Sequence, residues 1–344
     1  MGGSSISNAR TPGHAALRAA GSAGLAALLV GIAGLPQPFL AVLATTLLNP
    51  LDESPGEIPR RLGGAWAGTL LGAGILTLFP EQPWFAFPTL AIAGGLAARR
   101  AAARLGHGAA TVFAMGLGAS FPAGAIHPAI GPALAHAGSL SLAIVAVGVV
   151  AALAPRPRVA GSSGPRGRMD PIGGGPRPYA FGVALSVAVV FGMLVFPSDV
   201  VPLSVCAAVT ALKFCDGGPP ADAGWRGGGA VFGGVAGAVF VVLVSSVESL
   251  PVFLLGLSAV LGGLEFLAGR SGGRAGAWRQ AAGVFAVAAT IFPAPAGDVA
   301  DVVVRAAAVV AGFLVAAGVA LLSGPPVRGA LARPPRMAHD NATT

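Results

Sequence analysis

Apolar runs follow one another along almost the whole chain. They lie at about 14–34, 38–50, 62–79, 84–98, 108–122 and 137–154, then 179–197, 199–214, 227–247, 252–269, 280–292 and 302–323. The breaks between them are short and rich in Pro, Gly and Arg. In hydrocarbon such a run finds no water for its backbone, so its N–H and C=O groups must pair within the segment, as a helix does. With 54% of 344 residues apolar and 10% charged, no water-soluble domain needs this much apolar surface. The sequence therefore predicts an all-α, polytopic integral membrane protein of about twelve transmembrane helices. The runs 38–50, 108–122 and 280–292 fall short of the roughly 20 residues of a straight span, so they are expected to tilt, extend into their flanks or form broken helices.

The runs form two sets. RLGGAWAGTLLGAG, Arg61 to Gly74, returns as RGGGAVFGGVAGAV, Arg226 to Val239, with seven of fourteen positions identical. Gly64, Gly68 and Gly72 form a GxxxGxxxG ladder, and Gly229, Gly233 and Gly237 repeat it. Glycines four apart share one helix face and let a neighbouring backbone approach, which is a main source of helix association in lipid. Val112-Phe113-Ala114 with Phe121-Pro122-Ala123 also has a likeness in Val284-Phe285-Ala286 with Phe292-Pro293-Ala294. Arg99, Arg100 and Arg104 have counterparts in Arg270, Arg274 and Arg279. The expected organisation is a polar N-terminal tail (1–13), a first membrane repeat (14–154), a flexible Arg/Gly/Pro-rich linker (155–178), a second repeat (179–323) and a polar C-terminal tail (324–344).

Charge sets the expected orientation. With both termini in the cytoplasm and six spans per half, Arg10, Arg18, Arg60, Arg61, Lys213, Arg226 and the linker and tail arginines all fall inside. Glu81, Asp199, Glu248, Asp298 and Asp301 fall outside, and Arg305 is the one basic residue of 21 on that side. This positive-inside pattern accounts for the net charge of +8 without a nucleic acid partner, and lipid is the partner implied. Six spans per half make the repeats parallel, related by an axis along the membrane normal. Cys206 and Cys215 show no CxxC spacing and read as small membrane residues.

Arg305 is the first candidate for chemistry, because a cation about one turn into the last span is costly unless it faces protein or water. It lines a path for anions, using its bidentate fork on a carboxylate, or it pairs with Asp301 one turn earlier and snorkels outward. Glu265 relays protons or pairs with a nearby arginine near the interface. Lys213 is a counter-charge to substrate or a snorkelling anchor. Thr45, Thr46 and Asn49 touch substrate or bond to helix carbonyls. His127 and His136 flank a Pro/Gly-rich outer connection and read as a solvated loop or a proton-handling pair; nine residues apart and without a carboxylate, they make a poor metal site. No GxxxxGK[ST], HExxH or CxxCH occurs, and no GxSxG has plausible partners, so nothing calls for a cofactor, a metal or an enzyme, and transport outranks catalysis.

FLAVLATTLLNP, the short charged loop ending in Arg60-Arg61, the laddered GGAWAGTLLGA and the closing Arg305-xxxxxx-Gly312 together resemble the membrane block of the fusaric acid resistance-like family, which belongs with the aromatic acid exporters. The resemblance covers roughly 15–155 and 179–323 and lacks the sizeable cytosolic domain that larger members carry after each block. It implies efflux of aromatic or other small organic carboxylates across a bacterial inner membrane, often with a periplasmic adaptor protein. Alternating access between the halves, coupled to protons in the absence of a nucleotide site, is the expected mechanism. A passive anion channel and a non-transporting membrane subunit anchoring a partner complex are the alternatives; monomer or homo-oligomer stays open.

Overall fold

The computed structural model describes residues 12–51, 56–79, 83–126, 130–154, 177–215, 223–245, 247, 249–290 and 299–323. Glu81, His127, Glu248, Asp298, the 292–294 match, most of the linker and nearly all of both tails lie outside them. Every regular element among the described residues is a helix. The first half holds α1 (Pro12–Ile32), α2 (Phe39–Leu48), α3 (Glu57–Thr77), α4, α5 (His107–Ile126) and α6 (Ile130–Leu153). Ala86–Thr89, a π-helical Leu90–Gly94 and Gly95–Leu105 run on with helical dihedrals as the single rod α4. The second half holds α7 (Arg177–Val195), α8 (Val200–Cys215), α9 (Ala223–Ser245), α10 (Leu250–Arg270), α11 (Ala275–Ala289) and α12 (Val299–Leu322).

Among the described residues six stretches are long and apolar enough to cross a membrane: Pro12–Ile32, Ile130–Leu153, Pro197–Phe214, Gly224–Val244, Leu250–Arg270 and Ala300–Leu322. Length and hydropathy thus make this a membrane-type α-helical protein. The short α2 is bounded by Pro38 before and Pro50 after, which stop a helix at those points. Eight of its ten residues are buried, so it is a core element despite its length.

The chain's organisation shows in which helices touch. α3 packs on α5 as α9 packs on α11; α2 on α6 as α8 on α12; α1 on α10 as α7 on α4; and α5 on α8 as α11 on α2. These four pairings correspond when each helix is exchanged for the one six places along, whereas the contacts of α3 with α4 and of α2 with α5 are not matched to the same extent between α9 and α10 or between α8 and α11. Direction follows the same rule. Gly64, Gly68 and Gly72 meet Ala109, Phe113 and Leu117 in ascending order, so α3 and α5 run parallel, and Gly229, Gly233 and Gly237 meet Ala277, Ala281 and Phe285 the same way. In contrast Gly24 lies by Ser258 and Gly262 by Ala16, so α1 and α10 run antiparallel, as do α7 and α4, where Gly182 meets Ala91 and Ser186 Oγ donates to Phe87 O at 3.2 Å.

The ladders do what their spacing calls for. A Cβ on Gly64 or Gly68 would strike the carbonyl of Ala109 or Phe113, and one on Gly229 or Gly233 that of Ala277 or Ala281. At Gly72 the neighbours are Leu117 O, Ser120 Cβ and Phe121 N; at Gly237 they are Phe285 O, Ala288 Cβ and Ala289 N. Leu117 therefore holds the place of Phe285, not Phe113. The likeness of 112–114 to 284–286 is out of register by one turn: sliding a helix by four residues keeps its face, so residue types match while positions do not.

Candidate functional site

The chain breaks between α7 and α8 in a single 3-10 turn, Pro197–Asp199, whose Asp199 N–H donates to Phe196 O at 3.0 Å. Prolines at 197 and 202 frame this bend, and α8 and α12 pack on each other beside it. The packing brings Arg305 of α12 to Asp199: Arg305 Nε donates to Asp199 Oδ1 at 2.6 Å, and Ser198 Oγ donates to Oδ2 at 2.9 Å. The Asp199 side chain is only 5% exposed and that of Arg305 26%. A carboxylate removed from water needs both a counter-charge and hydrogen bonds, and this one has both. Two expectations change. Arg305 does not pair with Asp301, which stays exposed one turn away, and Asp199 is a buried member of the helix bundle rather than an outer-loop acid. Among the described residues the Nε of Arg305 alone is engaged, and no protein atom accepts from its two terminal nitrogens. That pair of N–H groups is the bidentate edge a second carboxylate would use.

At the other end of the bundle Glu265 of α10 is 8% exposed and accepts from Arg279 of α11, Nη2 at 3.3 Å and Nε at 3.4 Å. The pairing reaches across to the next helix, not along α10 to Arg270. Lys213, at the end of α8, lies within reach of the like charges of Arg226 and Arg279. Arg226 and Arg61 stand inside α9 and α3 rather than in the loops before them, and Arg61 is 2% exposed, with Gly108 lying against its Nε. The basic residues that define the cytoplasmic side by sequence are thus partly built into the helices. Cys206 is buried in α8 as a free thiol.

The polar end of α2 serves packing. Thr45 Oγ1 donates to Val42 O and Thr46 Oγ1 to Leu43 O, both at 2.7 Å, the local bonding open to any helical threonine. Asn49 Nδ2 donates to Ser22 Oγ, and Ser22 donates to Arg18 O at 2.7 Å, so a buried polar thread ties α2 to α1. Arg18 itself is 3% exposed. His136 is not in a solvated loop: it lies buried in α6 with Nδ1 3.3 Å from Ser120 Oγ of α5.

The structure thus brings Arg305 to Asp199, Glu265 to Arg279, and Asn49 to Ser22. It keeps Arg305 and Lys213 at different ends of α8 and α12 and does not join them in one site. By sequence Asp199, Arg279 and Arg18 figure only as charges that flank the spans, and nothing singles out Ser22. Asp199 carried a signal: the break between the runs 179–197 and 199–214 is a single residue, which leaves no room for a solvated loop.

No family model matches the chain, and no curated protein or solved structure matches it either.

Proposed function

We propose that this chain is a transporter of small organic carboxylates with an apolar body, built from two parallel six-helix halves. The buried Asp199–Arg305 pair carries the reading. Ionisable groups placed among apolar helices are costly, and where they persist they mark ion or substrate paths. Among the described residues nothing accepts from the terminal nitrogens of Arg305, the guanidinium edge suited to a carboxylate. The n to n+6 packing scheme supports a duplicated block, because exchanging the halves preserves the main helix pairs and, for α3–α5 with α9–α11 and α1–α10 with α7–α4, their directions. Two halves meeting across α2, α5, α8 and α11 are the arrangement that alternating access uses, and Gly118, Gly182 and Gly262 let the backbones of opposite halves approach closely where they meet.

The resemblance to the fusaric acid resistance-like family implies efflux of aromatic acids across a bacterial inner membrane with a periplasmic adaptor as partner, and the arginine distribution favours termini in the cytoplasm. The test is accumulation of a panel of aromatic acids in cells with and without the chain, followed by flux in proteoliposomes held well above the acid's own titration range, so that the neutral acid does not cross unaided. Saturable flux that is lost in Arg305→Gln is the expected result. Current reversing at the anion's equilibrium potential would instead indicate a channel. No flux from the purified chain with any acid would indicate a subunit that anchors a partner.

A further inference from the structure

The second half leaves open a space that the first half closes. α9 and α10 both pack on α11, and they meet at Phe240, whose ring lies 5.7 Å from that of Phe253 and against Gly256. Toward their Arg-rich ends the facing sides stay uncovered. On α10, Gly263 and Leu267 follow Gly256 by seven and eleven residues, close to two and three helical turns, so all three share the side turned to α9. A methyl built on Gly263 meets nothing within 4 Å, and Leu267 is 40% exposed. On α9, Gly229 and Gly233 face α11 and Gly234 faces α12, which leaves Phe232 and Trp225 on the side of α10. They are 51% and 55% exposed. Phe232 stands edge-on to Trp278 of α11, with ring centroids 5.8 Å apart. The result is an apolar groove with α9 and α10 as walls, α11 as floor and Phe240 as its closed end.

The mouth of the groove is cationic. Arg274, in the turn between α10 and α11, holds its guanidinium 4.3 Å from the centre of the Trp225 ring and so reaches across to α9. Arg270 follows Gly256 by fourteen residues, close to four turns, and ends α10 on the groove side. Both arginines are exposed. Among the described residues the acid of these three helices is Glu265, and Arg279 holds it. From Phe240 down to Trp225 the helix rises about 22 Å. One leaflet of a bilayer, from midplane to headgroups, measures about 20–22 Å.

We propose that this groove seats one anionic phospholipid of the leaflet on the Arg-rich side. Its phosphodiester sits on Arg274 and Arg270, and an acyl chain runs past Phe232 and Gly263 toward Phe240. Guanidinium groups pair with phosphate oxygens, indole rings settle at headgroup level, and basic pockets between membrane helices select anionic headgroups. The site is independent of the transporter reading and holds whether or not the chain moves a substrate. The first half is its internal control. With Gly64 matched to Gly229 and Leu117 to Phe285, the places of Trp225, Phe232 and Trp278 are taken by Arg60, Ala67 and Ala110. There α3 also touches every segment of the rod α4, which closes the corresponding space. The chain therefore carries this site in one half only.

The test reconstitutes the full chain in phosphatidylcholine bilayers, with Trp66→Phe and Trp84→Phe leaving Trp225 and Trp278 as fluorescent reporters. Phosphatidylglycerol with brominated chains, which quench a tryptophan they touch, is the probe, and brominated phosphatidylcholine is the reference. Phosphatidylglycerol should be preferred about thirtyfold, with about fivefold from each of the two arginines. Arg274→Gln should lose about fivefold of that preference. Gly263→Phe fills the groove and keeps the arginines, and should bring the preference down to that of Arg274→Gln or below. Arg100→Gln removes a cation from the same membrane side in the first half and should leave the preference unchanged. Equal quenching by the two lipids would overturn the site. So would an equal loss in Arg100→Gln, the mark of diffuse surface charge, or undiminished preference in Gly263→Phe. Displacement of the lipid by millimolar glycerol phosphate would reveal a soluble-anion site and overturn the lipid assignment. Where a variant does not fold, as judged by circular dichroism, the reporters are exchanged and the arginines kept. Trp225→Phe with Trp278→Phe leaves Trp66 and Trp84, which both lipids should quench alike; preferential quenching by phosphatidylglycerol there would equally overturn the site.

Discussion

Gly68 offers the sharpest test of how the helices within one half are held together. Replacing it with alanine places a methyl group against the Phe113 carbonyl, with the carbonyl carbon at 2.8 Å and the α-carbon at 2.9 Å. All three atoms belong to the backbone of α5, so no side chain can swing away and the two helices must part. A separation of even 0.5–1 Å forfeits roughly a quarter to a half of each dispersion contact along the seam. Forcing a methyl into packing of this kind costs about 3 kcal/mol, at the upper end of overpacking penalties because the obstacle is rigid. The alanine recovers about 1 kcal/mol of helix propensity, leaving a net loss of about 2 kcal/mol. Gly63, five positions earlier on the exposed face of the same helix, has nothing within 4 Å of the built methyl. Gly63→Ala should therefore be neutral or stabilising by up to about 1 kcal/mol. The pair is read by unfolding in mixed micelles with increasing dodecyl sulfate, followed by helical circular dichroism. Gly233→Ala and Gly228→Ala should reproduce the contrast in the second half, since Gly233 meets Ala281 backbone at 2.9 Å and Gly228 meets nothing. A Gly68→Ala variant within about 0.5 kcal/mol of Gly63→Ala would refute the packing argument, since independent sites of equal environment differ by no more than that.

Two further outcomes are expected. Ser22→Ala and Asn49→Ala should each destabilise by about 1 kcal/mol, and the double variant by clearly less than the sum, because both remove the same α1–α2 thread; additive losses in a double-mutant cycle would show that the two side chains do not act together. In a cysteine-free background, a membrane-impermeant maleimide applied to intact cells should label Trp84→Cys, between α3 and α4, and leave Ser271→Cys, between α10 and α11, unlabelled; the reverse pattern would invert the orientation drawn from the arginines.

The sequence alone determined the class of the fold, and the reason is the solvent. Runs such as Ile130–Leu153 have no choice but helix once water is withdrawn, and glycines at 64, 68 and 72 define a face whatever they meet. The short α2 was legible for the same reason, with proline on either side of ten apolar or hydroxyl residues. Register was less legible. A match of residue types at 112–114 and 284–286 survives a slip of one turn, and only the contacts at Gly72 and Gly237 show which residues correspond. Partners were not legible at all. Arg305 had an acid four residues away in sequence and bonds to one 106 residues away, because the crossing of α8 and α12 and the bend at Pro197–Asp199 are set by packing between helices. Glu265 likewise bypasses Arg270 for Arg279. Local pattern states which face a side chain occupies; which charge waits on the other side of that face depends on how rods of equal apolarity settle against one another, and tertiary packing alone decides it.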